Sequence, residues 1–197
     1  MTARMGDTIT PGDERQKRWG DAHERAALAT DIVAAAVLRG RFTLRSGAVS
    51  DYYIDKYRFT TQPKLLVRIT DALLPHIPPD TQRIAGTVLG AVPLAVALSL
   101  RTGLPSVLVR ADAKAHGTAK AVEGELAAGE RVLVIEDVVT SGGAAISALE
   151  ALREAGATVN GILAVIDRED GGAERLATTG VPFLALFTRT ELGLGGS

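Results

Sequence analysis

Apolar and polar positions alternate along this chain with two distinct periods. The Ala-rich run between His23 and Leu38 predicts a helix, for which Gly40 supplies a stop. FTLRSG (Phe42–Gly47) and DYYID (Asp51–Asp55) have strand character, and a turn containing Ser46 and Gly47 would join them into a small hairpin. Beyond Pro63, KLLVRITDALLPHI is amphipathic. From there the strand-like segments RIAGTV, PSVLVR, RVLVIED, TVNGILAVID and PFLALF alternate with helices expected at Ala91–Leu100, Ala144–Glu154 and Gly172–Ala177. Such alternation implies parallel strands, and several of these strands are apolar on both faces, as helices covering both sides require. The expected fold is therefore α/β, an open, mainly parallel sheet flanked by helices, with ligands bound beyond the carboxyl ends of the strands. Residues 111–128 read as a long polar excursion. Residues 1–20 are polar and aperiodic, a flexible extension ahead of one domain covering 21–197.

Composition narrows the possible functions. With 46% hydrophobic residues the 197-residue chain can bury a full core. Its 22 basic and 23 acidic residues leave a net charge of −1, so no global field draws it to nucleic acid or membrane, and any anion site must be local. Without cysteine, disulfides and thiolate chemistry are excluded. No apolar leader or bilayer-length apolar run occurs, and a cytoplasmic location is expected.

The most informative segment is RVLVIEDVVTSGGAAISALEALREAG. An apolar strand runs into two carboxylates, Glu136 and Asp137, and TSGG then opens an amphipathic helix. Thr140 and Ser141 offer hydroxyl donors, Gly142 and Gly143 allow backbone amides to approach an anion, and the helix N-terminus adds positive dipole character. The spacing is neither GxxxxGK[ST] nor GxGxxG. A phosphate held by TSGG would leave its sugar near Glu136 and Asp137, where carboxylates accept hydrogen bonds from ribose hydroxyls. The competing account is an ordinary strand–loop–helix junction with the acids as caps. The segment resembles the motif with which type I phosphoribosyltransferases bind 5-phosphoribosyl 1-pyrophosphate (PRPP).

Further segments resemble the orotate phosphoribosyltransferases in particular, and together they span about residues 25 to 190. FTLRSGAVSDYYID is similar to that family's N-terminal hood, here mainly residues 23–60 ahead of a core at about 61–190. The hood closes over the pyrimidine, and Arg45 stands where many members carry lysine. Tyr52 and Tyr53 either stack near the base or fill the hood's own core. VRADAKAHGTAKAVEGEL gathers Arg110, Lys114, His116 and Lys120. The resemblance makes it a lid that reaches across a homodimer into the partner's site and closes over pyrophosphate, with Lys114, His116 and Arg110 as catalytic residues and Lys114 foremost. Ala111 departs from the lysine common there. AGTVLGAVPLA resembles the pyrophosphate-side loop, with Gly90 in it and Leu89 where some members have lysine. Arg168, just after a strand, matches an arginine that contacts the base alongside Thr140. Taken alone, it could equally form a surface pair with Asp167 or Glu169. His23 and His76 are read as structural.

The implied reaction transfers phosphoribose from PRPP to orotate, giving orotidine 5-monophosphate and pyrophosphate. The resemblance implies Mg2+ carried on the pyrophosphate and ribose hydroxyls, with no direct protein ligand, and no partner beyond PRPP, orotate and a second copy of the chain. Two rivals share the PRPP motif, namely a purine phosphoribosyltransferase and a PRPP-responsive regulator without catalysis.

Overall fold

The structure is a computed structural model that describes residues 22–43, 47, 49–110 and 121–195. The expected extension of residues 1–20, and Arg45, Ala111, Lys114, His116 and Lys120, lie outside the described residues.

The first helix, α1 (Ala22–Ala36), buries Leu28, Ile32 and Ala36, spaced four apart so that they line one side. It ends earlier than its composition suggests. Val37 leads directly into strand β1 (Val37–Thr43), which pairs antiparallel with β2 (Val49–Ile54), Val37 facing Ile54. Gly40 therefore lies inside a strand. It sits where the pairing register shifts between Arg39 and Phe42, marking a bulge and not a helix stop. The hairpin begins five residues earlier than Phe42, because β-branched Val37 gains a cross-strand partner that a helix could not give it. Tyr52 joins the core, whereas Tyr53 stays exposed with its ring centroid 5.7 Å from that of Phe42.

Two helices follow, the short α2 (Lys56–Thr60) and α3 (Pro63–Leu73), the latter opened by its proline and stacking Leu65, Ile69, Ala72 and Leu73 inward. The main sheet then assembles from β3 (Arg83–Thr87), β4 (Ser106–Val109), β5 (Val122–Glu123), β6 (Arg131–Val139), β7 (Thr158–Asp167) and β8 (Phe183–Thr188), with helices α4 (Val92–Thr102), α5 (Gly143–Glu154) and α6 (Gly172–Ala177) between strands. Strand order is β5-β4-β3-β6-β7-β8, and every pairing is parallel except β4 with β5. β5 lies within the segment read as a polar excursion. It is two residues long and depends on the open edge of β4.

Alternation along β6 divides the interior in two. Leu133 and Ile135 pack with Leu28, Ile32, Ile69, Leu94 and Leu98 of α1, α3 and α4. Val132 and Val134 pack on the opposite face with Ala145, Ala148, Leu149 and Leu152 of α5. Each fully buried Leu or Ile contributes about 1.5–3 kcal/mol. Chain order leaves β3 in one direction toward β4 and leaves β6 in the other toward β7 and β8. The switch point thus falls between β3 and β6, where open α/β sheets form their ligand crevice.

Candidate active site

β6 carries the acid pair into that crevice and runs two residues past it, to Val139, so the strand does not stop at Asp137 as its apolar run suggests. Glu136 and Asp137 are consecutive in an extended strand, and their side chains leave opposite faces of the sheet. Both are nearly inaccessible, at 4% and 1% exposure.

On the α2 side, Asp137 Oδ1 accepts the Val138 amide at 2.6 Å and the Lys56 ammonium at 3.3 Å, and Lys56 Nζ lies 3.0 Å from Oδ2. Burial works against the Lys56 charge, but the attraction of Asp137 and its hydrogen bond outweigh it, and the pKa stands above its ordinary value. The loop after β3 closes tightly over this pair. A β-carbon built on Gly90 would overlap Asp137 Oδ2 and come within 2.7 Å of its Cγ, so only glycine fits. Lys56 was not among the residues singled out from the sequence. Its acidic partner is 81 positions away, and no local pattern announces the pairing.

On the other face, Glu136 Oε2 accepts the Thr87 hydroxyl at 2.8 Å, while Oε1 is buried without a hydrogen-bond partner. Burial, helped by repulsion from Asp137, pushes the Glu136 pKa up to about 7 against the opposing effects of Thr87 and Lys56. An unspent acceptor on a buried carboxylate suits a hydroxyl donor such as a sugar.

Thr140 and Ser141 are exposed beyond the end of β6, and Gly142 and Gly143 lead into α5. The first amides of a helix have no intrahelical acceptor and α5 has no acidic residue in its first turn, so this end attracts anions. The loop is braced by α6, a contact unforeseen in the sequence. A β-carbon on Gly172 would overlap the Thr140 carbonyl oxygen and lie 2.6 Å from Val139 Cγ1, and Arg175 Nη1 donates to the Ser141 carbonyl at 2.7 Å.

Arg168 follows β7, its amide donating to the Val139 carbonyl at 2.9 Å, which fixes it beside the loop. Its guanidinium pairs with Asp170 at 3.2 Å, while Nε is buried without a hydrogen-bond partner. Asp167 and Glu169 are engaged elsewhere. Asp167 Oδ1 accepts the Glu169 amide at 2.8 Å, and Glu169 accepts the amide and hydroxyl of Thr190. Arg110, at the end of β4, is exposed and 3.5 Å from Glu123. The structure thus gathers Glu136, Asp137, Thr140, Ser141, Gly142, Gly143 and Arg168 at one end of the sheet, together with Lys56, Thr87 and Gly90. Among the described residues no group of three or more His, Cys, Asp or Glu is placed to hold a metal ion.

Comparison with known proteins gives the same direction. The family model described as a phosphoribosyl transferase domain matches residues 83–181. The chain is similar to an orotate phosphoribosyltransferase of Halobacterium salinarum, 49% identical over 167 residues, covering 82% of this chain and 95% of the relative. Among solved structures, the orotate phosphoribosyltransferase of Aeropyrum pernix superposes with a TM-score of 0.78 at 37% identity, over 86% of this chain and 99% of that one. The Mycobacterium tuberculosis enzyme in complex with PRPP superposes with a TM-score of 0.72 at 32% identity, over 87% and 99%.

Proposed function

Because this chain belongs to the orotate phosphoribosyltransferase family, we propose that the crevice beyond β3, β6 and β7 is where it binds PRPP and orotate. The enzyme transfers phosphoribose from PRPP to orotate, giving orotidine 5-monophosphate and pyrophosphate in pyrimidine biosynthesis. One observation carries the site assignment. An anion-attracting loop, Thr140–Gly143, lies two residues beyond two buried carboxylates, and Glu136 Oε1 has no hydrogen-bond partner.

The 5-phosphate of PRPP binds Thr140, Ser141, Gly142 and Gly143, and the ribose hydroxyls bind Glu136 and Asp137. Orotate brings a carboxylate and carbonyls, which a planar guanidinium binds bidentately. Arg168 is placed for that contact, with Thr140 beside it and Arg45 contributed by the hood. As pyrophosphate departs, C1 of the ribose becomes cationic and the leaving oxygens gain charge. Arg110, Lys114 and His116 on the lid stabilise that charge and exclude water, while N1 of deprotonated orotate attacks from the opposite face. No side chain acts as a nucleophile.

The donor atoms offered by Glu136 and Asp137 are hard oxygens, compatible with Mg2+ that rides on substrate. Bound with substrate, Mg2+ would supply charge neutralisation to the departing pyrophosphate. On the same resemblance the enzyme is a cytoplasmic homodimer that shares its lids across the interface. Val96 and Leu100, exposed one turn apart on α4, are the kind of apolar surface a dimer covers. No helix among the described residues is long and apolar enough to cross a membrane.

The test follows the ultraviolet absorbance of orotate with PRPP and Mg2+. Wild type consumes orotate, and Lys114→Ala and Asp137→Asn are strongly impaired. Mixing Lys114→Ala with a phosphate-loop variant restores activity through hybrid dimers if lids are shared. Wild type that leaves orotate untouched overturns the assignment.

A further inference from the structure

Lys56 opens α2, directly after the hood hairpin, and its ammonium lies 3.0 Å from Asp137 Oδ2 and 3.3 Å from Oδ1. Its stem runs along the loop after β3, since a β-carbon on Gly90 would come within 3.0 Å of Lys56 Cε. The two partners differ in access. The Asp137 side chain is 1% exposed and that of Lys56 is 37% exposed. An ammonium has three N–H groups. Asp137 occupies the buried side, leaving outward N–H groups between the β6 acids and the loop at residues 88–90.

Building on the PRPP site proposed above, we infer that Lys56 is a further PRPP-binding residue. Anchored on Asp137, it holds the pyrophosphate of PRPP while Asp137 holds the adjoining ribose. The placement follows from the shape of the substrate. With the 5-phosphate in the Thr140–Gly143 loop and the ribose over Glu136 and Asp137, the pyrophosphate on C1 extends away from that loop, toward β3 and Gly90, where the Lys56 stem lies. Charge supports the same placement. Two carboxylates at the ribose would repel a polyanion, and a cation standing against one of them offsets that repulsion. The pair also neutralises a buried carboxylate and so supports the fold, and the comparison of ligands with and without pyrophosphate separates that role from binding.

Lys56→Met, Lys56→Gln and Lys56→Arg test the inference, with calorimetric binding of PRPP, inorganic pyrophosphate and orotidine 5-monophosphate alongside steady-state rates. The last ligand has the 5-phosphate and ribose but no pyrophosphate. Loss of one charge-assisted contact should weaken PRPP and pyrophosphate by about tenfold in Lys56→Met, and leave orotidine 5-monophosphate within about twofold. Lys56→Arg should recover most of the loss. Lys56→Gln retains a donor for Asp137 and should show the same split even if Met disturbs folding. Equal weakening of all three ligands, or none of any, overturns the inference and reduces Lys56 to a structural tie. The binding measurements need no turnover. A wild type inert toward orotate would therefore sink the reaction assigned above, while Lys56 would still be judged on PRPP and pyrophosphate.

Discussion

Gly90 and Asp137 are in such close approach that the loop after β3 tolerates no side chain at residue 90. A β-carbon there would overlap Asp137 Oδ2. Asp137 cannot simply move aside, since its other oxygen is held by the Val138 amide and by Lys56. Gly90→Ala should therefore cost about 1–3 kcal/mol of stability from overpacking. It should also lower kcat/KM for PRPP at least tenfold while the fold persists. Thermal unfolding and orotate consumption check both. An alanine variant with wild-type kinetics would mean that the loop yields freely.

Gly172 and Arg175 brace the Thr140–Gly143 loop from behind, one by close approach and the other by a hydrogen bond to the Ser141 carbonyl. Gly172→Ala should displace the loop and raise KM for PRPP about tenfold or more, whereas Arg175→Ala, losing one exposed hydrogen bond, should change it only about twofold. Comparing the two in PRPP titrations separates steric bracing from hydrogen bonding.

Glu136 gives the folded protein a pH dependence of definite sign. Its folded pKa, about 7, is raised above the ordinary value of 4.5. The stabilisation is complete below about pH 4.5, is lost as pH rises toward 7, and changes no further above that. The linked loss is on the order of 3 kcal/mol. Glu136→Gln removes the titration. In urea unfolding of ligand-free protein, the variant should therefore gain on wild type between pH 5 and pH 8. A constant difference across that range contradicts the buried, partnerless state of Oε1.

Arg168→Ala tests the base side. Losing a bidentate guanidinium contact should raise KM for orotate about a hundredfold. PRPP affinity should change little, because Arg168 is tied to the end of β6, next to the loop, by its backbone amide, which the substitution keeps. If both substrates weaken equally, the side chain orders the loop and does not read the base.

Strands with long apolar runs were legible in the sequence, and so was the TSGG turn, because each is specified by neighbours within a few residues. Boundaries set by distant partners were not. Val37 leaves the helix for Ile54 across the hairpin, and β5 exists only against the edge of β4. The acid pair was legible as a motif but not as geometry. Its residues share a motif yet face opposite sides of β6, a consequence of a strand that continues to Val139. Lys56, Gly172 and Arg175 depend on contacts across the fold, and nothing adjacent to them in the sequence signals their partners.

Among the described residues the buried apolar side chains form two separate clusters, one on each face of the sheet, and the two acids point to opposite faces. Apolar substitutions in the hood-side cluster can therefore be made without repacking the helix that follows the Thr140–Gly143 loop. Substitutions placed one per layer and away from the crevice should combine additively. The enzyme thereby offers two nearly independent modules for engineering, joined at residues 136 and 137.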